Sequence, residues 1–336
     1  TSLSSWPKQR TCHTQRRSTT QPADVPSLGR VRVALIEMGS TGFRLTIYRE
    51  QDTERRSQHL HLGSSVSTNG SFTEQDISAA TRVAAEFMTA ARMHNCQRIV
   101  AVATESFRLA ANGEAVATHI SREIGCPVRI LSPAEEVALT WRAVVNDFPD
   151  RPGVTMVDIS GGSLGLGSGP SNTKGPCHNF SFPLGTSVLA PRALDDGYLE
   201  TSTRTRLEHH IAETLKPAIA SIGPVLEEQI VLTGGTVRAL AQLIHTTRRG
   251  EVPNDINGLG IDCSDLGHLV KKLSELSLPA RLALPGMKQR RSLHLPLAVA
   301  ILRQTMRSLG VHEASVSTMG LRDGLLSRLM TQARAA

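Results

Sequence analysis

The chain has 336 residues, of which 40% are hydrophobic and 20% are charged, and its formal net charge is +7. This length is enough for about two domains of ordinary size, and the apolar content excludes a chain that is disordered throughout. No segment approaches the roughly 20 consecutive apolar residues that cross a bilayer, and the five cysteines are scattered without CxxC spacing, so we expect a soluble protein of the cytoplasm, a reducing compartment, without a membrane partner.

The first 30 residues predict a disordered basic tail. They are rich in Ser, Thr, Gln and Arg, and they show no apolar periodicity. Five basic residues against one acidic residue give this tail a net charge of +4, which leaves only +3 for the rest of the chain. Aromatic residues make up 3% of the sequence. Few rings are therefore available for base stacking, and a nucleic-acid partner is disfavoured.

Residues 31–148 predict a first lobe in which strands and helices alternate. A strand that begins at Val31 ends at Glu37, a turn of small residues follows at 39–42, and a second strand runs over 43–49. Apolar residues at helical spacing predict the helices of this lobe, and short apolar runs predict its other strands. The predicted order is helix 74–94, strand 98–104, helix 114–124, strand 128–131 and helix 132–145.

The opening pattern of strand, acidic residue, small-residue loop and strand recurs in the second half of the chain. Apolar residues from Val154 lead to Asp158, the loop 160–163 follows, and a further strand begins near Leu164. Because each loop returns to a strand and not to a helix, the glycines do not fit a Rossmann or P-loop site. The repeated module predicts an α/β fold with a second lobe over 149–336, a cleft between the lobes, and last helices that pack back on the first lobe.

Turn-forming residues at 147–153 mark the predicted boundary between the two lobes. The remaining elements of the second lobe follow from the same apolar patterns. They are strand 178–182, helix 204–219, strand 229–232, a helix from Val237, helices 265–276 and 295–309, strand 314–317 and a helix after Gly320.

Three loops of small residues are candidate phosphate sites, at 39–42, 160–163 and 233–236. Glycine-rich loops leave backbone N–H groups open to an anion. A single loop of this kind is more often a simple tight turn, but three of them, two preceded by an acidic residue, favour a phosphate-binding cleft. The candidate phosphate-binding residues are Gly39, Ser40, Thr41, Gly161, Gly162, Ser163, Gly234, Gly235 and Thr236.

Two carboxylates, Glu37 and Asp158, each end a strand just before one of these loops. A pair of hard oxygen donors suits Mg²⁺, which takes one or two protein carboxylates together with waters and substrate phosphates. The alternative is that each side chain caps its own turn by bonding the backbone.

The segment 132–137 contains a candidate general base. Ser132, Pro133 and Glu135 fit an N-cap, a first-turn proline and a capping box, which accounts for all of them by local structure. Glu136 has no capping role and is available for proton transfer, although an exposed helix glutamate is the alternative. Arg108 follows a predicted strand end, where its guanidinium can hold phosphate oxygens, and a surface arginine is the alternative.

Together these segments resemble the exopolyphosphatase and guanosine-pentaphosphate phosphatase family over about residues 31–330. Several signatures occur in the same order and spacing, which is more specific than any one of them. The pattern DxGSNSxR corresponds to residues 37–44, ATSAxRxAxN to 103–112, SGxEEA to 132–137, DIGGGSTE to 158–165, PLG to 183–185, TGGTxRAL to 233–240 and GLREG to 320–324.

The resemblance implies two actin-like, ribonuclease H-like lobes and hydrolysis of a terminal phosphoanhydride in polyphosphate or guanosine pentaphosphate. By the same resemblance Glu136 activates water, Asp158 and Glu37 hold Mg²⁺, and the loops with Arg108 grip the phosphates. Because the family commonly dimerises, a homodimer is a further expectation.

Some positions depart from the family signatures. Glu37 stands in place of Asp, Ser160 in place of a glycine, and Gly165 in place of the acid that closes DIGGGSTE. These departures favour an alternative function, a catalytically impaired relative that binds polyphosphate or a guanosine nucleotide as a sensor or regulator. A sugar or acetate kinase of the same superfamily is a third alternative, which the paired glutamates after Ser132 disfavour.

Overall fold

The computed structural model describes residues 32–49, 52–195, 197–287 and 289–334. The predicted tail, residues 1–30, lies outside the described residues. The strands are β1 (Val33–Gly39), β2 (Gly42–Arg49), β3 (Asp52–His59), β4 (Arg98–Ala103), β5 (Val128–Ile130), β6 (Gly153–Ile159), β7 (Leu164–Pro170), β8 (His178–Phe182), β9 (Ile230–Thr233), β10 (Gly260–Asp262) and β11 (Glu313–Val316).

Helices alternate with these strands along the chain. They are α1 (Leu62–Asn69), α2 (Glu74–Met93), α3 (Glu105–Leu109), α4 (Gly113–Ile124), α5 (Pro133–Asp147), α6 (Thr186–Ala193), α7 (Thr201–Ile222), α8 (Gly235–Arg249), α9 (Cys263–Glu275), α10 (Leu278–Leu282), α11 (Gln289–Ser292), α12 (Leu295–Ser308) and α13 (Leu321–Arg334). Within the described ranges no helix combines the length and the apolar character that crossing a membrane requires.

The first sheet has the order β3-β2-β1-β4-β5. β1 runs antiparallel to β2, as the predicted hairpin requires. It runs parallel to β4, which the chain reaches through a long connection that contains α2. Ala34, Ile36 and Met38 of β1 belong to the core that this sheet forms with α2 and α4. Because successive side chains of a strand point to opposite faces, Glu37 points away from that core.

The second sheet has the order β10-β11-β9-β6-β7-β8. β6 runs antiparallel to β7 and parallel to β9, so it has the same two kinds of neighbour as β1 in the first sheet. The largest apolar core of the second sheet is formed with α7, α8, α9 and α12. The duplicated module and the two-lobed α/β architecture predicted from the sequence are therefore confirmed.

Helices α5 and α13 lie between the two sheets. Trp141 of α5 is fully buried against the second sheet, and its indole Nε1 donates to the carbonyl oxygen of Val154 at 3.0 Å. Leu139 of the same helix packs with Leu325 of α13 against Leu35 of the first sheet. α5 is apolar on two sides because it packs on both sheets. The division of the chain at residues 148 and 149 stays a prediction.

The sequence patterns do not predict β3 and α1. β3 is an edge strand with the sequence Asp-Thr-Glu-Arg-Arg-Ser-Gln-His, which has no apolar alternation and is mostly exposed. α1 buries only Leu62 and Val66. Both elements are held by tertiary contacts, β3 through its pairing with β2 and α1 through the core under the first sheet.

Candidate active site

A cavity of about 430 Å³ lies between the two sheets, where β1, β4, β6 and β9 end. All three predicted loops contribute to its lining, and so do the predicted carboxylates. Two predicted site residues, Arg108 and Thr236, are not part of the lining and instead contact residues that are. The predicted residues that line it are Glu37, Gly39, Ser40, Thr41, Glu136, Asp158, Gly161, Gly162, Ser163, Gly234 and Gly235.

Each of the two strand-end carboxylates interacts with the positive charge of arginine. Glu37 is 6% exposed, and its Oε2 accepts a hydrogen bond from Nε of Arg322 at 2.8 Å. Asp158 faces the cavity, and desolvation raises the pKa of its carboxyl while the positive charges of Arg238 and Arg44 oppose that rise. Neither side chain caps its own turn, because no hydrogen bond links either carboxylate to the backbone of the loop that follows it in the described residues.

Glu136 is held at the cavity by an ion pair. Arg108 donates from Nη2 to Glu136 Oε2 at 2.7 Å and from Nη1 to the carbonyl oxygen of Leu131 at 2.6 Å. The Glu136 side chain is only 18% exposed. Burial raises the pKa of Glu136 to about 7 against the opposing pull of Arg108, and the negative charges of Asp158 and Glu37 raise it further. A carboxylate that titrates near neutral pH is suited to general base catalysis.

The neighbouring glutamate has the local role that the sequence predicts. Ser132 and Glu135 form a capping box, and Pro133 occupies the first turn of α5. Glu135 also accepts a hydrogen bond from Arg129, so it points away from the cavity that Glu136 lines. The helix start therefore separates the two adjacent glutamates into a structural one and a cavity-facing one.

Glu105, a fourth carboxylate in the cavity, was not among the predicted site residues. It is the first residue of α3, two positions after the end of β4, and its Oε2 lies against Gly162 so closely that a Cβ at residue 162 would overlap it. Burial raises the pKa of Glu105 to about 7, while Arg108 opposes the rise and Glu136 adds to it. Its position after a central strand, like those of Glu37 and Asp158 at strand ends, is the sequence signal that marks it.

The second glycine loop is closed by the side chain of Ser160. Its hydroxyl oxygen accepts hydrogen bonds from the N–H groups of Gly162 at 3.2 Å and Ser163 at 2.9 Å. The third loop differs, because it opens α8 with Gly234 as an N-cap that provides no side-chain hydrogen bond. The N–H groups at a helix start have no partner within the helix, so this loop presents donors where Gly234 and Gly235 line the cavity.

Positive charge in the cavity comes from arginine. Arg238 donates to the carbonyl oxygen of Thr318 at 2.9 Å, and Arg291 donates to the hydroxyl of Thr236 at 3.1 Å. Burial lowers the pKa of Arg238, although arginine stays protonated in proteins. No aromatic side chain of the described residues lines the cavity. The arginines that do are Arg44, Arg55, Arg238, Arg291 and Arg322.

The cavity offers carboxylate oxygens to a hard divalent cation, but too few to complete its coordination shell. No group of three or more His, Cys, Asp or Glu residues in the described part of the chain is arranged to hold a metal ion. Glu37 and Asp158 nevertheless offer two carboxylates to one cavity, which is the number that Mg²⁺ takes when phosphates and waters complete its shell. The residues therefore fit a cation that binds together with a phosphate substrate.

Comparisons with known proteins identify the family of this chain. The Ppx/GppA phosphatase family matches residues 46–333 of the chain. A Mycobacterium leprae protein named exopolyphosphatase 1 is 24% identical over 306 residues, which cover 89% of each chain.

Solved structures share the fold of this chain. The Aquifex aeolicus PPX-GPPA enzyme has 25% identity and a TM-score of 0.74, covering 89% of this chain and 99% of its own. An exopolyphosphatase from Cytophaga hutchinsonii has 22% identity and a TM-score of 0.78, covering 90% and 98%. With a match that spans most of its length, and with the signature loops and carboxylates gathered around one cavity, the chain belongs to the Ppx/GppA phosphatase family.

Proposed function

We propose that this protein is a phosphohydrolase of the exopolyphosphatase type, which releases terminal phosphate from polyphosphate or guanosine pentaphosphate. The observation that carries the proposal is Glu136, a carboxylate with its pKa raised to about 7 at the wall of an arginine-lined cavity. The relative from Mycobacterium leprae is named an exopolyphosphatase, which supports the same substrate class. A cytoplasmic location and a homodimer stay predictions of the sequence analysis.

In the proposed reaction Glu136 accepts a proton from the water that attacks the terminal phosphorus, the anhydride bond from that phosphorus to the bridging oxygen breaks, and the shortened chain leaves with the bridging oxygen. Arg108 keeps the Glu136 carboxylate oriented through its 2.7 Å hydrogen bond and is itself anchored on the carbonyl oxygen of Leu131. Glu37 and Asp158 are the residues that would hold Mg²⁺, which when bound supplies charge neutralisation at the phosphate oxygens. Phosphoryl transfer depends mainly on such positioning and neutralisation.

In this proposal the phosphates are held by donors that come mainly from the second half of the chain. Arg238, Arg291 and Arg322 line the cavity around the carboxylates, and their charges compensate those of a polyanion. Gly234 and Gly235 at the start of α8 add backbone donors, since no side chain caps that helix. The cavity can therefore bind a phosphate chain with its end near Glu136.

The second candidate function is a binding protein with impaired catalysis. Two observations favour it: Gly165 brings no carboxylate beside Asp158, and Ser160 satisfies two N–H groups of the second loop. A Cβ at residue 165 would lie 3.0 Å from Cγ2 of Val137, so the side chain of α5 fills the space that the family acid would need. A sensor would bind the polyanion without turnover.

Phosphate release from long-chain polyphosphate with Mg²⁺ distinguishes the two functions. We expect turnover in the wild type and its collapse in Glu136→Ala. Folded wild-type protein that binds polyphosphate without releasing phosphate would instead establish the binding protein.

A further inference from the structure

Arg55 lies at the cavity but outside the set of residues to which the proposed mechanism assigns a role. It belongs to the edge strand β3, it is exposed, and it lines the cavity together with Arg44 of the neighbouring strand. Among the described residues no carboxylate pairs with Arg55 and no acceptor receives a hydrogen bond from it. An exposed, uncompensated arginine at the rim of a cavity is available to an anion.

The register of the first sheet places Arg55 on the catalytic face. Glu37 pairs with Arg44, and Arg44 pairs with Ser57, so these three side chains form a row across the sheet. Arg55 is two residues from Ser57, and side chains two residues apart on a strand share a face. Arg55 therefore extends the cationic surface from Arg44 toward the open edge of the sheet.

The distance to the acids assigns Arg55 to a different part of the substrate. Two strand spacings and two residue rises separate the backbone of Arg55 from that of Glu37 by about 12 Å. A guanidinium at that position meets phosphates farther along the chain than those held at Glu37 and Asp158. The lining contains no aromatic side chain of the described residues on which a base could stack, so anionic groups are the ligands that this rim suits.

We propose that Arg55 forms a subsite for phosphate units that follow the reacting end of a linear polyphosphate, and that it gives the site a preference for long chains over short ones. This inference rests on the proposed function and deepens it. It concerns substrate length and not the chemical step, because Arg55 does not contact Glu136 or its partner Arg108.

The adjacent residue supplies a matched control. Arg56 has the same side chain and strand but points to the other face, and it forms an ion pair with Glu54 at 2.7 Å. The test compares Arg55→Ala with Arg56→Ala on tripolyphosphate, long-chain polyphosphate and guanosine pentaphosphate. Both positions are exposed on an edge strand, so both variants are expected to fold.

We expect Arg55→Ala to lower kcat/KM for long-chain polyphosphate by about fivefold to tenfold, mainly through KM, since one charge-assisted contact is lost. Its kcat/KM for tripolyphosphate and guanosine pentaphosphate should change less than twofold, and Arg56→Ala should leave all three substrates unchanged. An equal loss for all three substrates, or no loss for the long chain, would overturn the subsite.

A binding measurement separates this inference from the proposed function. Calorimetric titration of long-chain polyphosphate in EDTA reports affinity without turnover. If wild type hydrolyses nothing, the hydrolase proposal fails, yet a weaker affinity in Arg55→Ala than in Arg56→Ala still supports the subsite. Equal affinities of the two variants overturn the subsite whether or not wild type is active.

Discussion

The two strand–loop–strand modules have the same topology but use it differently. In the first, Glu37 of β1 pairs with Arg44 of β2 across a hairpin with a two-residue turn. In the second, the equivalent Asp158 of β6 pairs with Gly165 of β7, and the loop has four residues. The first module therefore places a cation beside its acid, whereas the second places a residue without a side chain there.

Residues from outside the two modules fill the space and supply the charges beside each acid. Glu37 is bound by Arg322 from α13, so the acid of the first module forms its ion pair with a residue from the other end of the chain. Beside Gly165 the space is taken by Val137 of α5, and the loop that follows Asp158 is in contact with the carboxylate of Glu105 from α3. A repeated backbone motif thus supports a different distribution of charge at each copy.

The largest expected effect on activity comes from replacing Glu136, whose pKa is raised in part by the acids of the two modules, Asp158 and Glu37. We expect Glu136→Gln to lower kcat for phosphate release by about 100-fold to 10,000-fold, the range of a lost general base. Glu135→Gln is the matched control, because glutamine also completes a capping box. Full activity of Glu136→Gln would place the base elsewhere, and similar losses in both variants would indicate damage to α5.

A pair of glycine substitutions tests the rigidity of the two loops. An added Cβ at Gly42 would collide with the backbone carbonyl of Gln58, whereas one at Gly162 would meet the flexible end of Glu105. We expect Gly42→Ala to lower the free energy of unfolding in urea by about 1–3 kcal/mol, as overpacking against fixed atoms does. Gly162→Ala should lower it less, since a side chain can rotate away. Equal losses would contradict this difference.

The pH dependence of activity tests the electrostatic interaction between Glu136 and Glu105, the two cavity carboxylates whose pKa values are raised to about 7. Burial raises the pKa of Glu136 to about 7, and the base must be ionised to act, so kcat/KM should fall as the pH drops through about 7, by about tenfold per pH unit. Glu105→Gln removes a neighbouring negative charge, which favours the ionised form of Glu136. The acidic limb of the profile of kcat/KM against pH should therefore move to lower pH. Glu114→Gln, on the exposed side of α4, is the control and should leave the limb in place. A limb that stays in place in Glu105→Gln would show that the two carboxylates do not interact.

The smallest expected effect concerns the second loop alone. Ser160→Ala removes the hydroxyl that accepts the N–H groups of Gly162 and Ser163, which frees both donors for an anion. One hydrogen bond contributes about 1 kcal/mol, so tripolyphosphate should bind about fivefold tighter in calorimetry. Ser202→Ala, in the exposed first turn of α7, is the control and should leave the affinity unchanged, because Ser202 lies outside the cavity lining. Unchanged affinity in Ser160→Ala would mean that the second loop does not contact the ligand.

Much of the fold could be predicted from the sequence because its signals are local. Short apolar segments before Glu37 and Asp158 predict β1 and β6, and the capping box at Ser132 predicts the start of α5. The repeated order of strand, acid and loop predicts the two sheets, since it requires only neighbouring residues. The edge strand β3 escapes this kind of prediction, because its stability comes from pairing with β2 and not from its own apolar pattern.

By itself the sequence determined the α/β class, the duplicated modules, the three loops that line the cavity and the carboxylates of Glu37, Glu136 and Asp158. Only the tertiary structure decided which charges meet there: Arg322 with Glu37, Arg108 with Glu136, and Glu105 with the loop at Gly162. These partners are separated by 285, 28 and 57 positions in the chain. Strand and helix patterns depend on the nearest few residues, whereas pKa values and ion pairs depend on which distant side chains the packing of the two sheets brings together.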